Sequence, residues 1–146
     1  GEIDFAPTVV GSREGGKCQL FVERDVLTRV EPESALGRAV GAEWDKLGEG
    51  EQSDKYLNLI RPECDKPCPT VTQLGGTSAA SVTHPVERRK FTIAELRRIC
   101  GFPDDFILTG TYSQQWERLG RAVPPPMMRA VAEALLPVLL SGKERG

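Results

Sequence analysis

The chain has 146 residues and a mass of 16.0 kDa, room for one domain core rather than two, which argues against a complete multidomain enzyme. Hydrophobic residues at 39% and charged residues at 27% match ordinary globular composition and exclude a disordered or fibrous chain, while 15 Gly and 11 Pro mark it as rich in turns. The net charge of −2 excludes a global basic footprint for nucleic acid. It conceals an asymmetry, however. Residues 1–84 carry nine Lys/Arg against fourteen Asp/Glu, whereas residues 85–129 carry eight against five. Any nucleic-acid contact is therefore expected from a local patch such as Arg88, Arg89, Lys90, Arg97 and Arg98, or from a segment outside this chain.

No apolar run approaches the roughly 18 residues of a membrane span, and no basic-then-apolar leader opens the chain, so a soluble, cytoplasmic protein without a membrane partner is expected. Gly1 in place of Met suggests processing or a cut. Cys18, Cys64, Cys68 and Cys100 are too few and scattered for a disulfide scaffold, and the single His84 does not complete a zinc site, so reduced thiols and no metal are expected.

In chain order, Thr8–Val10, Gln19–Val22 and Val26–Leu27 have strand composition between Gly11, Gly15-Gly16 and Pro32. Ser34–Leu47 predicts a helix interrupted by Gly37 and Gly41, with Trp44 and Leu47 on its apolar side. Tyr56–Ile60 and Thr70–Thr72 predict two more strands around the Pro-rich loop Cys64–Pro69. Gly75-Gly76 then opens a loop of small residues.

The second half changes period. Thr92 and Glu95 have capping-box spacing, after which Ile93, Leu96, Ile99 and Cys100 share a helical face and Gly101 supplies the stop. Ser113–Leu119 predicts a short helix. The last element, Pro125–Leu140, has only Arg129 and Glu133 as charges, and a helix apolar nearly all round needs burial on more than one side. A missing partner surface follows, unless Pro137 ends the helix early. The expected fold is α+β: an irregular, mostly antiparallel β region over 1–84, then a helical region over 85–146 with three helices, the two forming one structural unit.

Three blocks of the second half carry a family signature: Arg89-Lys90-Phe91-Thr92-Ile93-Ala94-Glu95, then Cys100-Gly101-Phe102-Pro103-Asp104, then Gln115-Trp116 through Gly120-Arg121-Ala122-Val123-Pro124-Pro125. With Pro69–Thr72 and Gly75-Gly76 ahead of them, they resemble, in order and spacing over roughly 66–140, the C-terminal part of the DNA cytosine-5 methyltransferases. Two residues depart from the family pattern: Ala94 stands before Glu95 where Arg is usual, and Arg121 follows Gly120 where Asn is usual.

The resemblance implies the target-recognition region and last two motifs of an enzyme, bacterial or phage-encoded, that moves a methyl group from S-adenosylmethionine to cytosine in duplex DNA. The base must be flipped out of the stack, and the flanking DNA gripped, for that reaction. By resemblance Thr70 would contact phosphate, the loop from Gln73 through Gly75 and Gly76 would approach the groove, and Arg89 would bind DNA too, bracing the loop and touching phosphate. Gln115, Gly120, Arg121, Ala122 and Val123 would line the donor pocket. No catalytic residue is assigned. The chain has no F-x-G-x-G, Glu-Asn-Val or Pro-Cys-Gln block, and Cys18 and Cys68 lack the nucleophile's neighbours. The chain alone is therefore expected to be inactive, its final helix packing on a catalytic domain or subunit. The alternative is a stand-alone DNA-binding module, or an interaction module that self-associates through that helix.

Overall fold

The computed structural model describes residues 12–14, 17–19 and 30–143. Strands β1 (Ser12–Glu14) and β2 (Lys17–Gln19) pair antiparallel, with Arg13 opposite Cys18. Four α-helices follow among the described residues: α1 (Arg38–Trp44), α2 (Ile93–Ile99), α3 (Tyr112–Arg121) and α4 (Pro125–Lys143). Two 3₁₀ turns, Pro32–Ser34 and Gln73–Gly76, are the remaining regular elements among the described residues.

Among the described residues the expected antiparallel β region is not there. Beyond that one hairpin, pairing among the described residues shrinks to isolated bridges joining Ala35 to Arg89, Gln52 and Val82 to Ile60, and Thr83 to Lys90. The reasons are local. At Tyr56–Ile60 the Ser53 hydroxyl accepts the backbone N–H groups of Lys55 and Tyr56, and Leu59 N–H turns back to Tyr56 O at 2.7 Å, which curls an apolar run into a turn. At Thr70–Thr72 the Thr72 carbonyl accepts from the Trp116 indole at 2.9 Å and from Gly75 N–H at 3.2 Å, leaving no strand ladder to join. The expected strands Thr8–Val10 and Val26–Leu27, and most of Gln19–Val22, lie outside the described residues.

The helical half follows its caps. Thr92 Oγ1 accepts Glu95 N–H at 3.2 Å while Glu95 accepts Thr92 N–H at 2.8 Å, closing the box that starts α2. Gly101, at φ +75°, ends it, with Phe102 N–H reaching Arg97 O. A second box, Thr111 with Gln114, starts α3.

Two cores result. The larger packs Val82, Phe91, Leu96, Ile99, Tyr112, Trp116 and Leu119 between α2 and α3; the smaller packs Val40, Trp44, Leu47, Leu59 and Ala80 around α1. Trp44 Nε1 donates to Thr83 Oγ1 at 2.9 Å, tying α1 to the chain that leads into the larger core. Cys64 is fully buried and disulfide-bonded, against the expectation of reduced thiols, while Cys68 and Cys100 are free.

α4 belongs to neither core. It runs through Pro137 without ending there, buries Ala130, and exposes Met127, Met128, Val131, Leu135, Leu136, Val138, Leu139 and Leu140. By length and composition alone the stretch Tyr112–Ser141 could cross a membrane, contrary to the expectation from apolar runs.

Candidate functional site

The loop expected to approach DNA is held by α3 through unusually close backbone packing. A Cβ on Gly75 would lie 2.4 Å from Trp116 Nε1, one on Gly76 2.8 Å from Ser113 Cα, and one on Gly120 2.7 Å from Gln73 N and Cα. Glycine at these positions lets the 3₁₀ turn sit flat on the helix, with the fully buried Trp116 between them. Gly75 and Gly76 are therefore buried, while Thr70, Gln73 and Leu74 remain exposed.

Gln73 is tied to the last family block directly, its Oε1 accepting from Arg121 Nε at 2.5 Å. Arg121 also pairs with Glu117 at 2.9 Å. The residue that departs from the family's Asn thus has defined work within this chain. It links the turn to α3, and with its carbonyl oxygen occupied, Gln73 has its amide N–H₂ to offer outward.

Arg89 lies behind this layer, not on it. It is 8% exposed; its two terminal nitrogens donate to Glu95 at 2.8 and 2.7 Å, and its Nε to Glu87 at 2.6 Å. Burial works against its charge, but the two carboxylates overcome that and hold the guanidinium above its ordinary pKa. Since Glu95 also completes the cap of α2, Arg89 fuses the Thr83–Lys90 segment to that helix.

The other members of the expected basic patch are also engaged. Arg88 pairs with Asp45 at 2.9 Å, Arg98 grips Asp104, and Arg97 donates to Phe106 O at 3.1 Å and lies 3.9 Å from Asp104. Lys90 is buried and points inward. The patch visible in the sequence is thus not a face of free cations. Beside it, His84 Nδ1 accepts the backbone N–H groups of Val86 and Glu87 at 3.1 and 2.9 Å, which requires that nitrogen unprotonated. Burial, then the Arg89 charge, push its pKa down to about 4.

A cavity of about 340 Å³ lies beside the turn, lined by Cys68, Thr70, Val71, Cys100, Gly120 and Ala122 among others. It brings Thr70, expected at phosphate, together with Gly120 and Ala122, expected at the donor. Gln115 borders a separate cavity with Glu31 and Tyr112, and Val123 is exposed. Burial, then proximity to Cys100, push the Cys68 thiol up to about 12, and burial pushes Cys100 up to about 11, so both are neutral thiols at pH 7.

The residues that converge, Thr70 through Gly76, Arg89 through Glu95 and Gly120 through Pro124, come from three separated stretches of the sequence: the segment ahead of the family blocks, the first block and the last. A family model for C-5 cytosine-specific DNA methylases matches residues 17–137. The chain belongs to that family. It is 31% identical over 118 residues to the DNA (cytosine-5-)-methyltransferase M.ApeKI of Aeropyrum pernix, covering 81% of this chain and 24% of that protein. Against the type II methyltransferase M.Eco47II of Escherichia coli it is 32% identical over 110 residues, 68% of this chain and 26% of that protein. Against M.DdeI of Desulfomicrobium norvegicum it is 36% identical over 86 residues, 53% of this chain and 20% of that protein. The chain spans about a fifth of the length of the first of its curated relatives. No solved structure matches it.

The family uses S-adenosylmethionine as methyl donor. In this chain the cavity at Gly120 and Ala122 has no charged side chain in its lining. Sequence reasoning missed two residues that matter to the layer: Trp116, whose glycine-lined seat needs partners about 40 residues away, and Lys90, which the sequence places in a basic patch for nucleic acid and which is instead buried.

Proposed function

We propose that this chain is the target-recognition and C-terminal portion of a DNA cytosine-5 methyltransferase, with regions 1–84 and 85–146 acting as one unit. The observation that carries the reading is the seating of the Gln73–Gly76 turn on α3. It fixes the exposed Thr70 and Gln73 against the block that ends in Gly120–Val123, so that DNA-facing and donor-facing residues flank one cavity.

In this reading Thr70 offers its hydroxyl to a phosphate and Gln73 its amide N–H₂ to a base or backbone acceptor. Gly75 and Gly76 act by seating the turn, and Arg89 braces it from behind through Glu95. Gly120, Arg121, Ala122 and Val123 border the donor only when a catalytic region is apposed, with Gln115 further off on α3. The apolar face of α4 supplies the surface for that region, and that region supplies the nucleophile, because the half-buried Cys68 and the buried Cys100 are both held as neutral thiols. Cytoplasmic action follows from the DNA substrate.

The test is methyl transfer from labelled S-adenosylmethionine to cytosine-containing duplex DNA, by the chain alone and mixed with the catalytic portion of a relative. Transfer in the mixture alone is expected. Transfer by the chain alone would sink the reading. A chain that instead dimerises through α4 and binds DNA with no dependence on Thr70 or Gln73 would favour an interaction module.

A further inference from the structure

Lys90 is 5% exposed, and no ion pair joins it among the described residues. A buried ammonium without a carboxylate is costly unless its protons are all accepted. Here they are. Nζ donates to the carbonyl oxygens of Gly75 at 3.2 Å, Gly76 at 3.1 Å and Ser78 at 3.2 Å, three acceptors for three N–H bonds. The rings of Tyr112 and Trp116 stand 5.5 and 5.8 Å away and add their negative faces.

The three carbonyls lie at and beyond the end of the Gln73–Gly76 turn, where a short helix leaves acceptors without intrahelical donors. Their convergence on one point would be repulsive without a cation. The position of that cation is set by its own backbone: Lys90 N–H donates to Ser34 O at 2.7 Å, and Lys90 bridges to Thr83.

We propose that Lys90 is the positioning residue of the recognition turn: its ammonium acts as a tethered cation whose carbonyl seat fixes the shape in which Gln73, Leu74 and Thr77 face outward. This rests on the reading that the turn faces DNA, but its first test does not. In the whole chain carrying Lys90→Ala, amide hydrogen exchange at Gly75, Thr77 and Ser78 is expected to speed by about tenfold or more, while Leu96 in α2 and Cys100 at its C-terminal cap stay within about twofold. Added methylammonium, which can enter the vacated seat, should slow the turn again, and tetramethylammonium, which has no N–H, should not.

Unchanged exchange at the turn would overturn the clamp, as would acceleration that methylammonium leaves untouched. Should Lys90→Ala fail to fold, reductive methylation of the unmodified protein decides: Lys90 must be protected while the exposed Lys46 and Lys66 react, and equal reaction overturns the proposal. Duplex DNA affinity, measured on the same variant at low salt, separates the two readings. A loosened turn with unaltered affinity keeps the clamp and removes the turn from the DNA interface.

Discussion

The layer formed by α2, α3 and the Gln73–Gly76 turn differs from α4 in how completely its groups are satisfied. In the layer, Trp116 is fully buried with its N–H accepted by Thr72, Arg89 is matched to two carboxylates, and Lys90 has an acceptor for each proton. On α4, eight large apolar side chains face outward and only Ala130 is buried. Burying one such side chain is worth about 1.5–3 kcal/mol, so the second pattern leaves a large favourable term unused. The layer satisfies its groups within this chain, whereas in the proposed reading the helix awaits the surface of a catalytic region.

The comparison is broken most severely by emptying the layer. Trp116→Ala removes the ring on which Gly75 and Gly76 sit, and is expected to cost about 3–5 kcal/mol, read as a lowered urea midpoint. Arg89→Met should be comparable, about 3–5 kcal/mol, because it leaves Glu95 buried without its partner. If Arg89→Met cost under about 1 kcal/mol, the residue would not be a brace.

Next in size is the pH response of His84. Its pKa falls from the usual 6.5 to about 4 on folding, so the folded state binds fewer protons than the unfolded chain between those values. The stabilisation is present in full above about pH 6.5 and is lost progressively toward pH 4, by an amount on the order of 2–3 kcal/mol. His84→Asn keeps a side-chain acceptor near Val86 and Glu87 N–H and removes the titration. The variant should lose less stability than the parent between pH 7 and pH 4.5, and equal losses would place the acid sensitivity elsewhere. Smaller again is Thr92→Ala, which opens the cap of α2 and should cost about 1 kcal/mol.

These residues also show what could be read in advance. Thr92 and Glu95 are three apart and interact within one turn, so their cap, the buried face Ile93-Leu96-Ile99 and the stop at Gly101 were legible from local spacing. The apolar excess of α4 was legible because it needs only composition. The β region was misread where a single hydroxyl, Ser53, redirected an apolar run, and where Trp116 claimed the Thr72 carbonyl from 44 residues away. In the site, Thr70 and Gln73 were placed by resemblance, and the structure leaves both exposed. Gly75 and Gly76 were expected to let a backbone approach DNA, but their missing side chains admit Trp116. That distinction depends on which face of the turn meets α3, and neighbouring letters do not encode it. For Arg88, Arg89, Lys90, Arg97 and Arg98, the sequence shows five cations but not the carboxylates and carbonyls that the fold brings to them.

The smallest effect on stability should come from the other side of the comparison. Leu136→Gln with Leu139→Gln alters two side chains that are 54% and 69% exposed, and surface positions of this kind change folding free energy by about 0.5 kcal/mol or less. A clearly larger loss would mean that α4 is buried against this chain's own core in solution. The same double variant should weaken association with a catalytic region far more than it alters the urea midpoint, because the apolar area is then removed from an interface and not from the fold. Sedimentation of the mixture and methyl transfer by it read that quantity directly. Association that survives both polar substitutions would place the docking surface elsewhere on the chain, and the unsatisfied face of α4 would need another occupant.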